Sequence, residues 1–201
     1  MDPFARARSA ALDALTGDVT GRIAWYYHHG GNYAGGSFLS IEPNDPARVT
    51  AADLFAVALP NADIGPRAAR RVLGDRQLAI ELQAVPTNVR LEDTDDTTLD
   101  AVDRCYETVK RLFVDSTARQ SEPWVAPAKL MARKRPWLLP VRDKKVRRFL
   151  GIEQPYWYRT DWKIYQSLMR DEEVRGLLND LAAPDPPLRV LDVALWTKAR
   201  Q

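Results

Sequence analysis

Residues 96–114 read "DTTLDAVDRCYETVKRLFV", with Leu99, Val102, Tyr106, Val109 and Phe113 recurring three or four positions apart. That spacing lays these side chains along one face of a helix. Asp93, Asp95 and Asp96 gather acid at its start, and Lys110 and Arg111 sit near its end, matching the helix dipole at both termini. The stretch is predicted to be the central core helix.

Helical signals continue on either side of it. Thr50 followed by Asp53 and "LFAVAL" has an N-cap residue with an acid at the third helical position, close to a capping box, so a helix should start at Thr50 and stop at Pro60 and Asn61. Pro66 suits the first turn of a helix through "RAARRVLG", which Gly74 ends, and "RQLAIELQAV" makes a third, up to Pro86. Near the C-terminus, "DEEVRGLLNDL" and "PLRVLDVALWTK" are predicted as the last helices, the second with Leu188, Leu191 and Leu195 on one stripe. No segment reads convincingly as a buried strand.

The expected fold is therefore all-α, a compact multi-helix domain over residues 20–201 preceded by an N-terminal helix or extension at 1–19. The irregular part is the glycine-rich stretch "HHGGNYAGGSFLSIEPNDPARV", a loop with one short extended piece at "SFLSI". It matches neither nucleotide-binding glycine pattern, so its glycines are read as turn residues.

Composition narrows the chemistry. With 201 residues and 45% apolar content the chain can bury a real core. Its apolar runs fall far short of the roughly 20 residues that cross a bilayer. The N-terminus has no secretion signal, so a cytoplasmic protein with no membrane association is expected. Cys105 is the only cysteine and His28 and His29 the only histidines, which excludes an internal disulfide and a Cys/His zinc site. No metal or cofactor is expected; acids are plentiful, but no spacing among them singles out a magnesium site.

Charge is segregated. The segment Lys129–Arg148, "KLMARKRPWLLPVRDKKVRR", holds nine Lys/Arg and one acid, a net +8 in a chain of net +2, which leaves −6 on the remainder. "APAKLMARKR" is predicted as a helix with Leu130 and Met131 inward and Lys129, Arg133 and Lys134 fanning outward. Pro136 ends it, "PWLLP" bridges, and a second helix runs from Asp143 through "KKVRRFLG" to Gly151. Asp143 has an ordinary place there as an N-cap. Two basic helices joined by a turn can also track a phosphate backbone. Lys129, Arg133, Lys134, Arg135, Lys144, Lys145, Arg147 and Arg148 are therefore the candidate nucleic-acid contacts. Trp124, Trp137, Tyr156, Trp157, Tyr158 and Trp162 flank the run; the tryptophans are read as mostly core, the "PYWY" turn is left open, and aromatics among cations can stack on bases.

Two resemblances enter through these residues. "YYHHGGNYAGGSF", "DPARVTAADLFAVAL", "AKLMARKRPWLLPVRDKKV" and "LRVLDVALW" together resemble an uncharacterised bacterial family of single-domain proteins over residues 20 to 197. "PVRDKKVRRFLG" is similar to the helix-hairpin-helix DNA glycosylases, whose hairpin precedes V-D-x-x-V-x-R and closes on L-G. Asp143, Val146, Arg148, Leu150 and Gly151 match. The resemblance implies that Asp143 assists glycosidic-bond cleavage, stabilising the cationic sugar as the base departs. It puts Lys129 in roughly the region of a Schiff-base lysine, closer in sequence to the aspartate than in that class. The chain departs where the hairpin should be: "PWVAPAK" has no glycine, and Arg142 intrudes between Val141 and Asp143.

Three readings of function follow: a nucleic-acid-binding helical domain using segment 129–148, a glycosylase-like enzyme using Asp143, or an interaction or structural domain. In the third, the basic face meets an acidic partner, or acids of the chain itself such as Glu92, Asp93 and Asp95.

Overall fold

The structure is a computed structural model that describes residues 2–28, 34–114, 124–152 and 158–201. Among these residues it is all-helical, with eleven α-helices and no strand. In chain order they are α1 (Pro3–Leu15), α2 (Val19–His28), α3 (Ala51–Ala58), α4 (Pro66–Gly74), α5 (Arg76–Ala84), α6 (Asp96–Phe113), α7 (Val125–Lys134), α8 (Lys144–Phe149), α9 (Tyr158–Arg170), α10 (Glu172–Asn179) and α11 (Pro187–Lys198).

Local signals fix most boundaries. Thr50 caps α3 with the full reciprocal box: the Asp53 amide donates to its hydroxyl, and its own amide donates to Asp53 Oδ2. Pro66 opens α4, and Asp75 caps α5 through the Leu78 amide. Asp95 and Asp171 do the same for α6 and α10. Gly151 has φ +76, a conformation available to glycine at little cost, and a Cβ there would strike the Arg6 side chain.

The packing falls into two groups. α6 runs through one, against α4, α5 and α7, and α7 also lies on α3. Leu99, Val102, Tyr106, Val109 and Phe113 are all buried, as their spacing predicts. α11 runs through the other, against α1, α2, α8 and α10, while α9 packs on α1 and α10 and on the short 3-10 turn Leu91–Asp93. α1 is part of this packing, with Ala7, Ala11 and Ala14 fully enclosed.

One local expectation fails. "SFLSI" is not extended: Gly35–Ser37 forms a 3-10 turn and the chain keeps turning through Ile41. The carbonyls of Phe38 and Ile41 both accept hydrogen bonds from Arg133, so this loop curls around a guanidinium instead of lying along a sheet edge. Helices α2 and α9 were not predicted from local signals.

Candidate functional site

The basic segment is placed where its charge pattern does not predict. Arg133 is 0% exposed, Arg135 1%, Lys134 3%, and Lys129 and Arg147 6% each. The outward fan of Lys129, Arg133 and Lys134 expected along α7 is therefore corrected: these side chains point into the protein. Arg133 Nε lies 2.8 Å from Asp53 Oδ1 and Lys134 Nζ 2.6 Å from Asp53 Oδ2. Lys134 also donates to the Asp45 carbonyl at 2.8 Å, and Arg135 to the carbonyls of Leu82, Val85 and Pro46. The run pins loop 38–50 and the end of α5 onto α7.

Beyond the turn, Arg142 and Arg147 share Asp161 of α9 at 2.5 and 3.0 Å, and both lie over the Trp124 ring. Much of the positive charge is thus neutralised internally. The acids that do it are Asp53 and Asp161, not Glu92, Asp93 and Asp95. Burying a cation is tolerated only with such partners, because an unpaired one would forfeit its hydration. Lys144, Lys145 and Arg148 of α8 are exposed. Trp162 is enclosed in the core, Trp124, Trp137 and Tyr158 are half-buried, and Tyr156 and Trp157 lie outside the described residues.

Asp143 caps α8, its Oδ1 accepting from the amides of Lys145 and Val146 at 2.7 and 3.1 Å. It also lines a pocket bounded by α2, the Gly35–Ser37 turn, α7, α8 and α11. Polar groups converge there from distant parts of the sequence: Lys129, Asp143, Tyr26, Arg189 and Asp192. Pro60, Val141, Val146, Val193 and Trp196 supply apolar wall, and Gly35 leaves room where a Cβ would collide with the Tyr26 hydroxyl.

The electrostatics of the cluster are perturbed. Burial pushes the Lys129 ammonium down to about 8, against the Asp143 carboxylate, which pulls it up. Its Nζ donates to the Pro60 carbonyl at 2.6 Å. Burial pushes the Asp192 carboxyl up to about 7, although Arg189 and the Val141 amide both favour its ionised form. Asp192 Oδ2 accepts from the Val141 amide at 2.8 Å and so tethers the segment leading to Asp143 onto α11. Arg189 donates to the Tyr26 hydroxyl and lies over the Phe38 ring. Asp192 Oδ1 and Arg189 Nε are buried without a hydrogen-bond partner. An amine and a carboxyl with shifted pKa values in one cleft are the ordinary marks of a reactive or ligand-binding site.

Comparison with known families assigns the chain. It belongs to DUF6308, a family of unknown function. The family model spans residues 19–199, from the start of α2 to the end of α11, and so includes every residue that lines the pocket. No curated protein and no solved structure matches the chain.

Within the DUF6308 region, the pocket unites two residues singled out in the sequence, Lys129 and Asp143, and adds three that were not. Arg189, Asp192, Val193 and Trp196 recur at helical spacing along one side of α11, beside the leucine stripe, and this was the available signal. Cys105 is no nucleophile, since burial pushes its thiol up to about 12. Among the described residues no group of three or more His, Cys, Asp and Glu is gathered as for a metal ion, and no helix is long and apolar enough to cross a membrane.

Proposed function

We propose that this DUF6308 protein is an enzyme acting on a glycosidic bond in a polyanionic, nucleic-acid-like substrate, with Lys129 and Asp143 as its reactive pair. The observation that carries the reading is that both residues line one pocket and that the Lys129 amine is desolvated there, against the Asp143 charge. A lysine near pH 8 is neutral often enough to be a nucleophile, and a carboxylate beside it stabilises positive charge developing at a sugar carbon. In the step envisaged, the Lys129 amine attacks the anomeric carbon. The carbon–nitrogen bond to the base breaks, its electron pair leaves with the base, and the base takes up a proton.

The phosphate contacts change with this reading. Of the eight candidate cations, Lys144, Lys145 and Arg148 are the exposed ones, on the helix that Asp143 caps. They are the contacts that a phosphate backbone, or alternatively an acidic protein partner, would meet. A cytoplasmic setting fits the single buried Cys105.

The test is base release from a panel of damaged-base duplexes by the parent, Asp143→Asn and Lys129→Gln. Release by the parent and its loss in both variants supports the reading. Equal release by all three, or none by the parent, removes it. Anisotropy on DNA across a salt series, with Lys144, Lys145 and Arg148 reversed together, asks whether binding depends on phosphate contacts.

A further inference from the structure

A second cleft adjoins the pocket. Trp196 of α11 lines both, the pocket together with Lys129 and Asp143, and the cleft together with Arg22 and Trp25 of α2 and with Arg200. The indole of Trp196 is fixed in this common wall by the edge of the Tyr26 ring, whose centroid lies 5.7 Å away with the planes at 74°. Trp25 is 42% exposed. A lone exposed apolar side chain is unremarkable, but Trp25 shares its cleft with a second indole and two guanidinium groups.

Both cations are held in place and keep donors to spare. The Arg200 guanidinium lies over the Trp196 ring, 4.6 Å from its centroid, and Arg22 gives one terminal nitrogen to the Ala14 carbonyl. A guanidinium carries five N–H donors in one plane, so a ring under its face or a single carbonyl does not exhaust it. The acid of the cleft is Asp18, and its Oδ1 accepts from the Gly21 amide in the first turn of α2. Exposed aromatic surface beside guanidinium donors suits an unpaired nucleotide, whose base stacks on the ring while its phosphate meets the cations. A closed duplex gains nothing from such a cleft, because its bases are already stacked on one another.

We infer that the cleft is a subsite for an unpaired nucleotide next in the strand to the one that enters the pocket, with its base on Trp25 and its phosphate on Arg22 and Arg200. This rests on the reading of the pocket as the site for a nucleic-acid-like substrate, and adds that the strand is unpaired at that point. It does not require Lys129 to react.

The experiment is equilibrium binding of fluorescently labelled single strands of about six nucleotides to the intact protein, read by anisotropy. One strand is all thymidine, and the other is the same sugar–phosphate chain without bases. The parent should bind the thymidine strand about tenfold more tightly, Trp25→Ala should abolish that preference, and Trp25→Phe should keep most of it. Arg22→Gln combined with Arg200→Gln should weaken both strands and flatten the salt dependence. Equal affinity of the parent for the two strands, no saturable binding, or a preference that Trp25→Ala leaves intact overturns the inference. The first two results are read on the parent, and circular dichroism checks that Trp25→Ala, a change at an exposed position, is folded. Self-association of the parent that Trp25→Ala abolishes, without strand binding, also overturns it and assigns the cleft to a second copy of the chain. Base release from the duplex panel without base-dependent strand binding removes the subsite alone. Strand binding through Trp25 without base release removes the catalytic reading and leaves the subsite standing.

Discussion

Arg133 Nε and Asp53 Oδ1 lie 2.8 Å apart with neither side chain exposed, joining α7 to the residue that also closes the capping box of α3. Lys134 bonds the other oxygen of the same carboxylate. One aspartate therefore holds a helix start and two buried cations.

Asp53→Asn should be strongly destabilising, by about 3–5 kcal/mol, because it leaves buried cations without a counter-charge. Urea unfolding followed by circular dichroism measures it. A triple variant that also replaces Arg133 by Met and Lys134 by Leu should recover part of the loss, since the charges themselves are then gone. An Asp53→Asn protein as stable as the parent would mean that the carbonyls around Arg133 suffice alone.

Lys129 gives a signed pH dependence. Its folded value of about 8 lies below the ordinary 10.5, so its contribution to stability is present above about 10.5 and is lost as pH falls through 8. Compared with Lys129→Met, the parent should lose about 3 kcal/mol as pH falls across that window, because a tenfold change in proton affinity is worth about 1.4 kcal/mol. Paired melts of the two proteins at intervals from about pH 7.5 to 10.5 read the difference. A constant gap would show that the amine is better hydrated than its burial implies.

Asp192 works in the opposite sense. Its carboxyl is raised from 3.8 to about 7, so its contribution is full below about 4 and is lost as pH rises to 7. Asp192→Asn should flatten the parent's stability decline in that window, on the order of 4 kcal/mol. Carbon-detected NMR of the carboxyl gives the same titration directly, and a midpoint near the ordinary 3.8 would show that the group is not desolvated.

Asp143 separates capping from chemistry. Asp143→Ala should cost about 1 kcal/mol through loss of the cap, whereas Asp143→Asn keeps a capping oxygen and should cost less. Both remove the charge that raises the Lys129 value, so that amine should titrate lower in either variant. Chemical-shift titration of the lysine side chain in Asp143→Asn checks the direction.

These residues also show what was legible before the fold was known. Caps and apolar periodicity act over one or two turns, so Thr50, Pro66, Asp143 and the Leu99 to Phe113 face could be read directly. The burial of Arg133, Lys134 and Arg135 could not. Their partners are an aspartate 80 positions away and the carbonyls of a loop, and polar patterning by itself assigns such residues to the surface. α9 escaped notice because Trp162 and Tyr165 belong to a helical stripe with Leu168 and Met169, a pattern masked by the aromatics and cations that precede it. The pocket needed the chain folded, since Tyr26, Lys129 and Asp192 meet only in three dimensions.

Reductive trapping tests the pairing of Lys129 with Asp143 most directly. The protein is incubated with an oligonucleotide carrying an abasic aldehyde, borohydride is added, and the adduct is mapped by mass spectrometry. A reactive Lys129 forms an imine with the aldehyde, which hydride reduces to a stable amine. The expected result is a covalent adduct on Lys129, formed faster as pH approaches 8, abolished by Lys129→Gln and slowed by Asp143→Asn. Adducts spread over Lys144 and Lys145, or undiminished in Lys129→Gln, would contradict the pairing.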